Sequence, residues 1–104
     1  MWLRRARRAA GSLVALRWSP SAFEDLRRLH SFLAPIDARA AERNVKLIVG
    51  RAERIPEQPR LGERLPGYGN REVRRVIVEK YEIRYEVRGD DIAILRLFHT
   101  REGR

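Results

Sequence analysis

From residue 81 onward the chain alternates apolar and charged side chains, with Tyr81, Ile83, Tyr85 and Val87 interleaved with Glu82, Arg84, Glu86 and Arg88. A two-residue period sends successive side chains to opposite sides of an extended backbone, so this stretch is predicted to be a strand with one buried and one wet face. Gly89 and Asp90 follow, two residue types that tolerate positive φ, and they predict a tight hairpin. The return run over residues 92–98 is apolar on both faces, with Ile92 and Ile94 on one and Ala93, Leu95 and Leu97 on the other. A strand without a polar face belongs inside a sheet, covered on both sides. Upstream, residues 73–78 predict a third strand that turns at Glu79 and Lys80. What precedes residue 70 is expected to cover this meander.

Residues 13–18 (LVALRW) read as a short strand that runs into Ser19 and Pro20, where serine caps a helix and proline takes its first turn. Ser21 with Glu24 three residues on offers a competing capping box. Ala22, Leu26, Leu29 and Leu33 then share one stripe at helical spacing until Pro35 ends the run. Asp37 can cap a second helix with the stripe Ala41, Val45, Ile48, Ala52 and Ile55, stopped by Pro56. So short a link makes the two helices an antiparallel hairpin. Phe23 and Phe32 on the first helix, and Leu47 and Val49 on the second, lie off these stripes. Packing on the sheet alone should not bury them all, which implies a second contact surface. Residues 56–69 carry Pro56, Pro59, Pro66, Gly62, Gly67 and Gly69 and read as a loop. The expected fold is α+β in the order β-α-α-β-β-β, with a helical hairpin packed on a small, mostly antiparallel sheet.

A chain of 104 residues suits one domain with a single modest core. It contains no cysteine, which removes disulfides, thiolate metal sites and a cysteine nucleophile, and His30 and His99 are its only histidines. A metal is therefore not expected. Lysine and arginine number 23 against 14 acidic residues, a net charge of +9, which suits an acidic partner such as nucleic acid or an acidic protein segment. Four of the excess charges, Arg4, Arg5, Arg7 and Arg8, fall in residues 1–13, where there is no acid. Residues 1–13 are expected to form a disordered basic tail ahead of a single domain over residues 14–104. No stretch approaches the roughly 18 consecutive apolar residues of a membrane span, and the tail lacks the apolar core of a secretory signal. A cytoplasmic protein without a membrane partner is expected.

Particular residues carry a resemblance over residues 14–101. They are Trp18-Ser19-Pro20 followed by Ala22, Asp25 and Leu26; Ala40-Ala41; Pro59 with Leu61-Gly62; Arg71-Glu72-Val73; Tyr81 and Tyr85; and Ile94-Leu95-Arg96 closing on His99-Thr100-Arg101. Together they resemble the RelE/ParE toxin superfamily. Gly69 with Arg71-Glu72 opening the meander, and His99 with Arg101 closing it, resemble the ParE branch. The resemblance implies a toxin of a type II toxin-antitoxin system, of the kind linked to plasmid stabilisation. Such a toxin poisons DNA gyrase without hydrolysing anything, needs no cofactor, and is silenced by a cognate, ParD-like antitoxin. The superfamily's RelE branch instead cuts mRNA on the ribosome, and a basic nucleic-acid-binding module without toxicity is a third class. The family begins just before the first strand, so Val14 is an expected alternative start, to be read by N-terminal mass analysis of the natively expressed protein.

The resemblance and the charge pattern together nominate Arg71, Arg75, Arg96, His99 and Arg101 as the target-binding set. Phe23, Phe32, Leu47 and Val49 are nominated for the antitoxin. The ParE-like expectation includes no catalytic residue; a RelE-like nuclease would instead use Arg71, Arg96, His99 and Arg101 as cations and acid or base around a phosphate. Against a nuclease, no tyrosine follows Tyr85, and Thr100 stands where some nuclease relatives carry tyrosine. Arginines facing Glu82 and Glu86 ordinarily form cross-strand ion pairs. His30, Trp18 and Tyr68 read as structural, and contact with nucleic acid is expected to be weak or indirect.

Overall fold

The computed structural model describes residues 2–7 and 13–101. Its elements are β1 (Trp2–Arg7), β2 (Leu13–Trp18), α1 (Pro20–Leu33), α2 (Ala38–Arg54), β3 (Glu63–Arg64), β4 (Glu72–Val78), β5 (Tyr81–Arg88) and β6 (Asp91–His99), with a 3-10 turn at Ile55–Glu57. The strands form one mixed sheet in the order β1-β2-β6-β5-β4-β3. All its pairings are antiparallel except β2 with β6. The expected β-α-α-β-β-β order is present as β2-α1-α2-β4-β5-β6, and β6 lies inside the sheet as its apolar run requires. Among the described residues no helix is long and apolar enough to cross a membrane.

Both helices start where their caps predict. The Ser19 hydroxyl accepts the N–H of Ala22 at 3.0 Å, Pro20 follows it, and the Asp37 carboxylate accepts the N–H of Ala40 at 3.0 Å. Glu24 pairs with Arg27 at 2.8 Å instead of completing the competing capping box. The helix stripes bury Ala22 and Leu26 from α1, and Ala41, Ile48 and Ala52 from α2, with Ile55 just beyond. They pack over Leu16, Trp18, Ile83, Tyr85, Ile92, Ile94 and Leu97 on one face of the sheet. Burying each large aliphatic side chain contributes about 1.5–3 kcal/mol, so this face supplies most of the folding energy.

Four features depart from expectation. Residues expected to be a disordered tail include β1, which pairs antiparallel with β2 from Trp2↔Trp18 to Arg7↔Leu13. An exposed strand edge is a row of unpaired backbone donors and acceptors, and β1 satisfies the one that β2 presents. The segment expected to be plain loop includes β3, paired with β4, and the 3-10 turn through Pro56. At the β5–β6 hairpin only Gly89, at φ +57°, is left-handed, whereas Asp90 is not. This is the pattern of a turn that needs positive φ at its first central residue alone.

The fourth departure is a β-bulge. Arg84 pairs with Arg96 while Tyr85 pairs with Ile94, so Leu95 is an extra residue in β6 and the side-chain phase reverses there. Leu97 therefore faces the helices together with Ile92 and Ile94 instead of opposing them. Local contacts hold the bulge. The Ser19 hydroxyl donates to the Leu95 carbonyl at 2.9 Å, and the Asp25 carboxylate accepts the Leu97 N–H at 2.9 Å. The link between α2 and β4 is anchored as well: the Tyr85 hydroxyl donates to the Pro59 carbonyl at 2.7 Å and accepts the Gly62 N–H at 3.2 Å. Burial pushes the Tyr85 phenol up from its ordinary 10.0, which keeps it a neutral donor. A Cβ on Gly62 would lie 2.6 Å from both the Arg75 carbonyl and the Tyr85 hydroxyl, so only glycine allows this approach.

Candidate functional site

The register separates the sequence-predicted residues into two places. Arg75, Arg84 and Arg96 oppose one another across β4, β5 and β6 on the face away from the helices, and Glu82 and Glu86 share that face with them. The face was expected to be wet, yet Glu82 and Glu86 are buried. Tyr68 lies over it from the loop before β4: its hydroxyl accepts from Arg84 at 3.2 Å and its ring lies 6.0 Å from the Arg71 guanidinium. Long arginine side chains supply the remaining cover.

Each arginine nominated on this face is held by a carboxylate. Arg71 grips Glu86 through two N–H groups, at 3.1 and 2.9 Å, and Arg88 reaches the same carboxylate at 2.9 Å. Hydrogen bonds from Arg71, then from Arg88, hold the Glu86 carboxyl below its ordinary 4.5, and the Glu86 partner raises the Arg71 guanidinium. Arg75 lies 2.9 Å from Glu63 and 3.4 Å from Glu82, and Arg84 lies 2.7 Å from Glu82. Arg96 forks onto Asp25 of α1 at 2.8 and 3.1 Å. The guanidiniums of Arg84 and Arg96 also sit 5.0 and 5.2 Å from the ring centre of Phe98.

His99 and Arg101 lie elsewhere. Because Tyr81 pairs with His99, the end of β6 meets the β4–β5 turn on the helix side. There the two residues line a groove of about 550 Å³ with Arg28, Leu29, Phe32, Leu33, Asn44, Lys80 and Tyr81. The His99 ring sits edge-on to Tyr81, 5.5 Å between centroids at 90°. Its Nδ1 accepts the Arg101 backbone N–H at 3.1 Å, which leaves the proton of the neutral ring on Nε2. The Tyr81 hydroxyl accepts from the Asn44 amide at 2.8 Å. A neighbouring groove shares Asn44, Lys80 and Tyr81 and adds Arg43, Lys46, Leu47 and Glu79. Phe32, 78 % exposed, and Leu47 thus stand on two adjoining grooves whose charged lining is basic apart from Glu79.

The other two apolar nominees are not part of them. Phe23 is nine residues from Phe32, about 180° around the helix, and lies on the far side of α1. Val49 is half-buried and packs against the core. Lys80, Asn44 and Arg28 were not anticipated from the sequence, since their place depends on the β5–β6 register, which brings the turn beside the chain end. His30 is half-buried and forms no part of either groove's lining.

A solved structure of a chromosomal ParDE TA system from P. aeruginosa superposes on the chain with a TM-score of 0.70 and 22 % identity, covering 83 % of this chain and 95 % of that one. At that identity the likeness bears on the fold. No curated protein matches the chain. The family described as the ParE toxin of the type II toxin-antitoxin system parDE matches residues 16–103, and the chain belongs to it.

Proposed function

We propose that this ParE toxin acts on DNA gyrase as a non-enzymatic poison in the cytoplasm and is silenced by a cognate, ParD-like antitoxin. The observation that carries this reading is the pairing of the outer-face arginines. A nuclease of this architecture needs cations converging on a scissile phosphate beside an acid and a base. Here Arg71 and Arg96 are forked onto Glu86 and Asp25, and His99 lies on the helix side of the sheet. Arg71 on the outer face and His99 on the helix side thus lie on different faces of the sheet. The solved ParDE system is consistent with an antitoxin partner, for which Phe32 and Leu47 offer apolar anchors and Arg28, Lys80 and Arg101 the complement of an acidic segment.

The test is a gyrase supercoiling assay run beside ribosome-programmed mRNA cleavage, using purified toxin with and without the protein from the adjacent reading frame. Inhibited supercoiling that this protein reverses, with intact mRNA, is the expected result. Cleaved mRNA with unimpaired gyrase overturns it.

A further inference from the structure

On the outer sheet face, guanidinium groups stand above carboxylates. The Glu86 side chain is 7 % exposed, while Arg71 and Arg88, each 2.9 Å from it, are 52 % and 53 % exposed. Glu82 is wholly buried beneath Arg84 and Arg75. Arg96, 47 % exposed, pairs instead with the buried Asp25 of α1. Over Glu86 the anion lies below and both arginines face outward, whereas over Glu82 Arg75 and Arg84 are more covered, at 34 % and 20 % exposed. A partner therefore meets chiefly Arg71, Arg88 and Arg96, whose orientation folding has already fixed. Ordering a long side chain on binding costs rotamer freedom, and these arginines have lost most of it beforehand.

The chemistry of the face selects a phosphate backbone. The chain's two lysines, Lys46 and Lys80, line the groove on the other side, which leaves this surface to planar guanidinium forks that match paired phosphate oxygens. Tyr68 and Phe98 are faced by Arg71, Arg84 and Arg96, so their rings are poorly placed to stack single-stranded bases. Arg75, Arg84 and Arg96 form a row across three strands spaced about 4.8 Å apart. A duplex offers about one negative charge per 1.7 Å of axis in a fixed array, which suits a rigid row better than carboxylates on mobile protein side chains do.

We infer that this face docks on the phosphate backbone of duplex DNA, and that Glu82, Glu86 and Asp25 act as positioning residues for its arginines. The inference is independent of the gyrase reading, since DNA alone is the ligand. It is tested by fluorescence anisotropy of the full chain on a short labelled duplex over a salt series, with circular dichroism and melting curves for each variant. The expected log–log salt slope is about −3 to −4.5, for roughly three to five phosphates. Arg71→Lys with Arg88→Lys keeps both charges and removes the forks; affinity is expected to fall about tenfold in a folded protein. Glu86→Gln adds one positive charge yet is also expected to weaken binding. Undiminished affinity in the lysine variant, or tighter binding by Glu86→Gln, means diffuse charge attraction and overturns the proposal. So does loss of the lysine variant's deficit once Arg4, Arg5, Arg7 and Arg8 are changed to Gln, and so does binding to polyglutamate in preference to the duplex.

Discussion

On the helix side of the sheet, Ile83, Tyr85, Ile94 and Leu97 are closed off by two amphipathic helices, whereas on the opposite side Arg71, Arg75 and Arg84 stand over Glu82 and Glu86. One face is held by apolar burial, which does not depend on charge state and is not screened by salt. The other is held by ion pairs that are half open to water and therefore respond to both. The fold's energy and its presented chemistry thus lie on different surfaces, so variants on one face should leave the other largely intact.

The sharpest break in that division is expected from Leu97→Ala. It removes a fully buried side chain from the helix side and should cost about 2–5 kcal/mol in denaturant unfolding. A cost comparable to a surface substitution would mean that the helix face is not the main energetic core. Gly62→Ala comes next, at about 1–3 kcal/mol, because the added methyl must displace the Arg75 carbonyl or the Tyr85 hydroxyl. A thermal melt unchanged from the parent protein would show that the link to β4 can move at no cost.

Acid sharpens the comparison further. The Glu86 carboxyl is held below its ordinary 4.5 in the folded state, so its contribution is present above that pH and is lost as pH falls through the folded value. Stability should therefore decline on acidification below about pH 4.5, and Glu86→Gln should flatten part of that decline. An identical slope in both proteins would remove Glu86 from the account. The smallest effect on stability is expected at Phe32→Ser, within about 0.5 kcal/mol because the ring is exposed. The same change should weaken antitoxin binding about tenfold by titration calorimetry if the groove is the contact surface.

Much of the fold was legible because local signals agreed. The alternation through Tyr81 and Val87 set the strand, and Ser19-Pro20 and Asp37 marked helix starts that the structure keeps. The bulge was not legible: residues 92–95 are apolar on both sides, so nothing in the pattern marks where the phase reverses. The burial of Glu82 and Glu86 was hidden for a different reason, since their cover comes from Tyr68 and from arginines on neighbouring strands. For the candidate surfaces, the sequence nominated Arg71, Arg96, His99 and Phe32 without showing where on the fold each of them lies. Only the pairing of Arg84 with Arg96 and Tyr81 with His99 separates them.

The extra residue at Leu95 is a place in the final strand where losing a residue keeps the pairing beyond it. Exchanging Leu95 for another aliphatic leaves the alternation beyond it untouched. Deleting it would close the bulge and leave a regular ladder in which Arg96 still opposes Arg84 and His99 still opposes Tyr81. What such a deletion removes is the contact made at the bulge itself, from the Ser19 hydroxyl to the Leu95 carbonyl.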